Sequence, residues 1–156
     1  MKPVLVIGLG NPLMGDDGVG CVVAERLAGD TRLPAYAEVI CGGSDLLRHA
    51  GQMEGRSRVV VIDAIEDDTE PGSVLVFDEA RSGLDERQDH AHHLSAVQAI
   101  RLFRTIASIR CTLLGVGIAS AAMGTGLSPR IESRMPAILD RVLQELDGRP
   151  PPIADR

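Results

Sequence analysis

The 156-residue sequence has no tryptophan, one tyrosine and two phenylalanines. Its core therefore has to be assembled from Val, Leu, Ile, Ala and Met. Cysteine is scarce as well: Cys21, Cys41 and Cys111 are odd in number and far apart, with no C-x-x-C pair. That excludes a disulfide framework or zinc ribbon and reads as reduced thiols in a cytoplasmic protein. Positive charge is in the minority, with 16 Lys and Arg against 22 Asp and Glu and a formal net charge of −6. Non-specific binding to nucleic acid or to an anionic membrane needs a basic surface, so neither partner is expected. No apolar run approaches transmembrane length. Met1-Lys2-Pro3 leads into an apolar stretch too short for the h-region of a signal peptide. There is no G-x-S-x-G elbow and no Gly-Lys-Ser or Gly-Lys-Thr, and Cys41 has no histidine near it in sequence. A Ser or Cys hydrolase and a P-loop nucleotide enzyme are therefore unsupported.

What is present is an ordinary globular composition, 44% hydrophobic and 24% charged, in a length that suits one domain. That domain is expected over residues 1–148, with a Pro-rich tail, 149–156, too loose to extend it. Val4 to Ile7 reads as a short buried strand, and apolar residues at Val19, Val22, Val23 and Leu27 have helical spacing. Ala37 to Cys41 reads as a second strand. Ser44 is a candidate cap for a short helix carrying Leu46 and Leu47. Val59-Val60-Val61-Ile62 is β-branched throughout, as suits a central strand buried on both faces, with Asp63 at its carboxyl end. Ser73 to Phe77 is expected nearer a sheet edge, and Cys111 to Ile118 as the last strand. Between them lies a polar stretch, Asp78 to His92, then a helix with Leu94, Val97, Ile100, Phe103 and Ile106 on one face. Ser128-Pro129 has the pattern of an N-cap followed by proline at the first helical position. Pro136 falls inside that helix, where a kink or a break into two helices is expected. Such alternation predicts an α/β fold, a three-layer α/β/α sandwich whose mixed, mostly parallel sheet has about five strands.

The chemistry concentrates in Gly8-Leu9-Gly10-Asn11-Pro12-Leu13-Met14-Gly15-Asp16-Asp17-Gly18-Val19-Gly20, where a strand runs through a glycine-rich turn into a helix. It is a poor nucleotide fingerprint, because Leu13 occupies the third glycine position and the two acids sit where a pyrophosphate would. Capping of the helix and attraction to its positive end account for one acid. Two adjacent acids flanked by glycines exceed that need. Asp63 has a bland reading too, as the cap of a following helix. Neighbouring parallel strands nevertheless bring their carboxyl ends together, so Asp63 and Asp16-Asp17 are expected to face one crevice. His90, His92 and His93 cluster at the start of the long helix, where a solvated helix entry is the plain alternative for any one of them. His49 is expected only at the surface. Two carboxylates and one imidazole would make a site suited to divalent Mn, Ni, Zn or Cd.

The glycine-acid run resembles the signature of the nickel-iron hydrogenase maturation endopeptidases. Val60-Val61-Ile62-Asp63-Ala64 resembles that family's second acidic motif. His93, four residues before Val97-Gln98-Ala99-Ile100, resembles its histidine at the head of a helix. Gly126-Leu127-Ser128-Pro129 with Ile131-Glu132 resembles its C-terminal motif, and the match is collinear over residues 4–145. The resemblance implies a monomeric protease that removes a C-terminal extension from a hydrogenase large-subunit precursor once nickel has been inserted. It implies that Asp17, Asp63 and His93 bind the precursor's nickel and are catalytic, with Asp16 as a supporting acid. His90 and His92 are the alternatives for the third ligand. No organic cofactor and no resident metal are implied, although a surrogate divalent ion such as Cd or Zn would suit the same ligands. Asp17 stands where the family often has Glu, and Cys41-Gly42-Gly43-Ser44 where some members have Asp-Gly-Gly-Thr. Two other readings compete. Gly8-Leu9-Gly10-Asn11-Pro12 also opens the peptidyl-tRNA hydrolases, but the Tyr and Arg-His-Asn segment that follow there are replaced here by Leu13-Met14-Gly15-Asp16-Asp17. A non-catalytic nickel-binding maturation chaperone would use the same acids without cleaving peptide.

Overall fold

A computed structural model of the chain describes residues 1–66, 69–78, 100–101, 104–105 and 109–148. Five strands form one sheet: β1 (Val4–Leu9), β2 (Ala37–Gly43), β3 (Arg58–Glu66), β4 (Val74–Phe77) and β5 (Cys111–Ile118), in the order β2-β1-β3-β5-β4. The pairs β1–β2, β1–β3 and β3–β5 are parallel, whereas β4 lies antiparallel to β5 at the edge. The sheet is thus mixed, mostly parallel and five-stranded, as the alternation of elements predicts. The principal helices are α1 (Val19–Ala28) and α3 (Pro129–Leu146), with a single turn α2 (Ala50–Met53) between them.

The layers follow from the alternation of side chains along β1. Val4 and Val6 point to one face, where they join Val19, Val23 and Leu27 of α1 and Ile131, Ile138 and Val142 of α3. Leu5, Ile7 and Leu9 point to the other, where they meet Leu46, Met53 and Ile100. Every residue of β1 and of β5 is buried, the burial expected of strands with neighbours on both edges and both faces. Tyr36, the one tyrosine, fastens the end of α3 by donating its hydroxyl to the carbonyl of Leu146 at 2.6 Å.

Three local expectations change. Asp45, not Ser44, caps the turn at Leu46: its carboxylate accepts from the Leu47 N–H at 3.0 Å, the bond that Ser44 lies one residue too early to make in the same way. α3 runs unbroken through Pro136 rather than splitting in two. Pro136 lies on the exposed side, while Ile131, Met135, Ile138, Val142 and Leu146 are buried along the opposite stripe, so tertiary burial outweighs the lost hydrogen bond. β3 continues past Ile62 to Glu66, so Asp63 lies within the strand by its pairing with Gly115. The long helix expected from Leu94 falls mostly outside the described residues, as do the stretch 79–99 and the tail 149–156.

Candidate active site at the carboxyl ends of β1 and β3

The pairing of β1 with β3 ends at Gly8↔Ile62. From Asp63 onward β3 keeps β5 on one side and has lost β1 on the other. That divergence opens a crevice, and α1 reaches its floor because of two glycines. A Cβ on Gly20 would lie 2.2 Å from the Leu9 carbonyl oxygen and 2.3 Å from that of Ile62. A Cβ on Gly8 would lie 2.0 Å from the Gly20 carbonyl oxygen. The first turn of α1 therefore sits flush on the strand ends, an approach that only hydrogen side chains permit.

The turn between β1 and α1 is fixed by its own side chains. Asp17 Oδ2 accepts the Asn11 N–H at 2.9 Å, and Asn11 Oδ1 accepts the Leu13 N–H at 3.0 Å. This leaves the other Asp17 oxygen uncommitted by that bond. Asp63 Oδ1 accepts the N–H of Ala64 at 2.9 Å. Burial pushes the Asp63 carboxyl up to about 7 against that hydrogen bond, and the charge of Asp17 pushes it in the same direction. Asp17 and Asp63 are thus close enough to sense each other's charge. Among the described residues no Lys, Arg or His forms an ion pair with either of them.

Asp16 turns elsewhere. Its Oδ1 accepts from the Ser128 N–H and its Oδ2 from the Ser128 hydroxyl, both at 2.7 Å. Ser128 in turn caps α3 by accepting from the Ile131 N–H. Adjacent acids thus serve different ends: Asp17 with Asp63 at the crevice, and Asp16 as the fastening between the glycine turn and the C-terminal helix. A second fastening is Glu66, whose Oε1 accepts the Ala121 N–H at 2.6 Å. Glu66 did not stand out in the sequence, whereas Ser128 stood there in the capping pattern Ser128-Pro129 and in the resemblance to the family's C-terminal motif, without a sign that Asp16 is its partner.

His49 is partly buried rather than simply exposed, with Nε2 2.9 Å from the Gly42 carbonyl oxygen and Nδ1 2.6 Å from Gln52 Oε1. The carbonyl requires Nε2 to carry the proton, and the bond ties His49 to the carboxyl end of β2, which runs through Gly43. Cys21 donates its thiol to the Gly8 carbonyl at 3.3 Å, and burial together with neighbouring Cys41 pushes it up to about 12. Such a thiol is no nucleophile. His90, His92 and His93 lie outside the described residues, and among the described residues no three His, Cys, Asp or Glu side chains are grouped to hold a metal.

The comparisons with known proteins converge on one family. The model of the hydrogenase maturation protease family (HycI) matches residues 21–145. The chain belongs to this family. The Hydrogenase 2 maturation protease of Escherichia coli (strain K12) is 29% identical over 147 residues, spanning 92% of this chain and 90% of the relative. The solved structure of the hydrogenase maturating endopeptidase HybD from E. coli superposes with a TM-score of 0.78 at 29% identity, covering 92% of this chain and 91% of that one. The maturation protease HybD from Thermococcus kodakarensis gives 0.73 at 27% identity, over 93% and 99% of the two chains. As a hydrogenase maturation protease the chain is a peptide hydrolase, and its fold is that of its relatives.

Proposed function

We propose that this maturation protease removes the C-terminal extension of a nickel-iron hydrogenase large-subunit precursor and recognises the precursor's nickel through Asp17, Asp63 and His93. The observation that carries the reading is the pair Asp17 and Asp63: two neighbouring carboxylates, one of them pushed up to about 7, with no cation paired to either among the described residues. A divalent ion arriving with the substrate supplies the positive charge this pair lacks, and oxygen donors suit such an ion. His93 supplies the third donor in this reading, with His90 and His92 as its alternatives.

The chemistry asked of the site is addition of water to the scissile carbonyl. A carboxylate beside the bound nickel could accept the proton of that water and return it to the departing amine. A bound nickel would also polarise the carbonyl. In either route this chain's part is to hold the two carboxylates at the strand ends and to orient the peptide over them. We place the protein in the cytoplasm, a reading supported by three cysteines that form no disulfide, and take it to act as a monomer. Asp17→Asn and Asp63→Asn should each abolish removal of the extension, read as a mass change of the precursor on a gel, while leaving circular dichroism unchanged. Cleavage at the wild-type rate by either variant would remove this site from the reaction.

A further inference from the structure

Two cysteines that the proposed hydrolysis leaves idle meet near the end of β2. β1 and β2 run in parallel register with Gly8 opposite Cys41. Alternation along β2 turns Cys41 toward α1, because Ala37 and Val39 join the core on that face. Ile40 packs on the opposite face, and a Cβ on Gly42 would meet Ile7 and Leu9 there. From α1, Cys21 reaches the same place. Its thiol donates to the carbonyl of Gly8, the residue paired with Cys41, at 3.3 Å, and to that of Gly10 at 3.7 Å. The Cys21 and Cys41 side chains hydrogen-bond to each other there.

The two thiols differ in access, Cys41 being exposed and Cys21 buried. An oxidant arriving from solution meets Cys41 first, with Cys21 held against it from behind. An accessible thiol beside a second one is the arrangement of a reversibly oxidised pair. We propose that Cys41 and Cys21 are oxidised by a hydroperoxide and close to an intramolecular disulfide joining β2 to α1. In the first step the Cys41 sulfur takes one peroxide oxygen, the O–O bond breaks, and water leaves, giving a sulfenic acid. In the second the Cys21 sulfur bonds to that of Cys41 as the S–O bond breaks. The Cys21 proton departs with the hydroxyl as water. The two thiols together give up two electrons and two protons, and hydrogen peroxide becomes two waters. Cys21 holds its proton too firmly to attack a solute. Contact with Cys41 presents it with one electrophile at high effective concentration, whose leaving hydroxyl takes the proton. Disulfides that form and are reduced again in this way are the kind found in reducing compartments. Cys21 stands four residues beyond Asp17, so the modification borders the proposed site.

Mass spectrometry of the full chain tests this with hydrogen peroxide as the oxidant. The reduced wild type should become lighter by two hydrogens. Alkylation after unfolding should then label Cys111 alone, and a digest should contain one linked pair of peptides carrying Cys21 and Cys41. Dithiothreitol should reverse all three results. Cys41→Ser should prevent the loss of mass. Cys21→Ser, whose hydroxyl can still donate to Gly8, should instead stop at a Cys41 sulfenic acid that dimedone traps. A wild type that ends as a Cys41 sulfinic acid with Cys21 still alkylatable would overturn the inference. So would a link to Cys111, a covalent dimer through Cys41, or thiols that peroxide leaves unchanged.

Discussion

In the metal-free protein Asp63 holds its proton more tightly than it would in the unfolded chain, because burial disfavours the carboxylate and Asp17 adds like charge. The folded value near 7 lies above the ordinary 3.8, so folding is helped most below about pH 4 and loses that help as pH rises through 7. Asn in its place keeps an oxygen for the Ala64 N–H and never ionises. Asp63→Asn should therefore be more stable than wild type at pH 8, by on the order of 4 kcal/mol, and the two should converge as pH falls toward 4. Urea unfolding at both pH values checks this, and an advantage independent of pH would contradict it. Above neutral pH the ionised Asp63 thus weakens the fold. Asp16 has the opposite balance, since both of its oxygens are bonded to Ser128. Asp16→Ala should cost about 2 kcal/mol in urea unfolding by leaving the cap of α3 unsupported. The sequence showed both acids and Asp63 but not this division of labour, because Ser128 is 112 residues from Asp16 and nothing local marks the pair.

The strand-turn-helix unit from Val4 to Ala28 is the element whose form was most legible. A fully apolar strand, a glycine turn and a helical repeat agree there, and the structure has β1, the turn and α1 in those places. Less legible was why glycines stand where they do. Gly20 is required by two backbone oxygens from two strands, β1 and β3, the second of them far along the chain. Gly20→Ala should drive α1 off the strand ends and cost several kcal/mol, on the scale of other overpacked core positions. It should appear as a drop in melting temperature together with loss of cleavage, and a fully stable, active variant would contradict the packing described here. At α3 the local rule for Pro136 predicted a kink or a break, and the break is absent because a buried stripe spans the proline. The bridge between Met14 and Gly124 left no trace in the sequence pattern, since it is a single pairing between two glycine-rich loops.

At the scale of the molecule, topology does what no single motif does. β1 at the centre of a parallel arrangement, between β2 and β3, brings the ends of three strands together, and the acids separated by more than forty positions in the chain become neighbours. Parallel order was readable from the alternation of strands and helices. The antiparallel edge strand β4 and the clamps at Glu66 and Ser128 are long-range outcomes of packing. The fold and the family agree with a maturation protease, and the central claim concerns what that protease recognises. The most direct measurement is removal of the C-terminal extension from a nickel-loaded large-subunit precursor of the same organism, beside the same precursor without nickel. Two carboxylates with no ion-paired cation among the described residues predict cleavage of the loaded precursor alone. Equal cleavage of both forms, or none of the loaded form, would contradict the account.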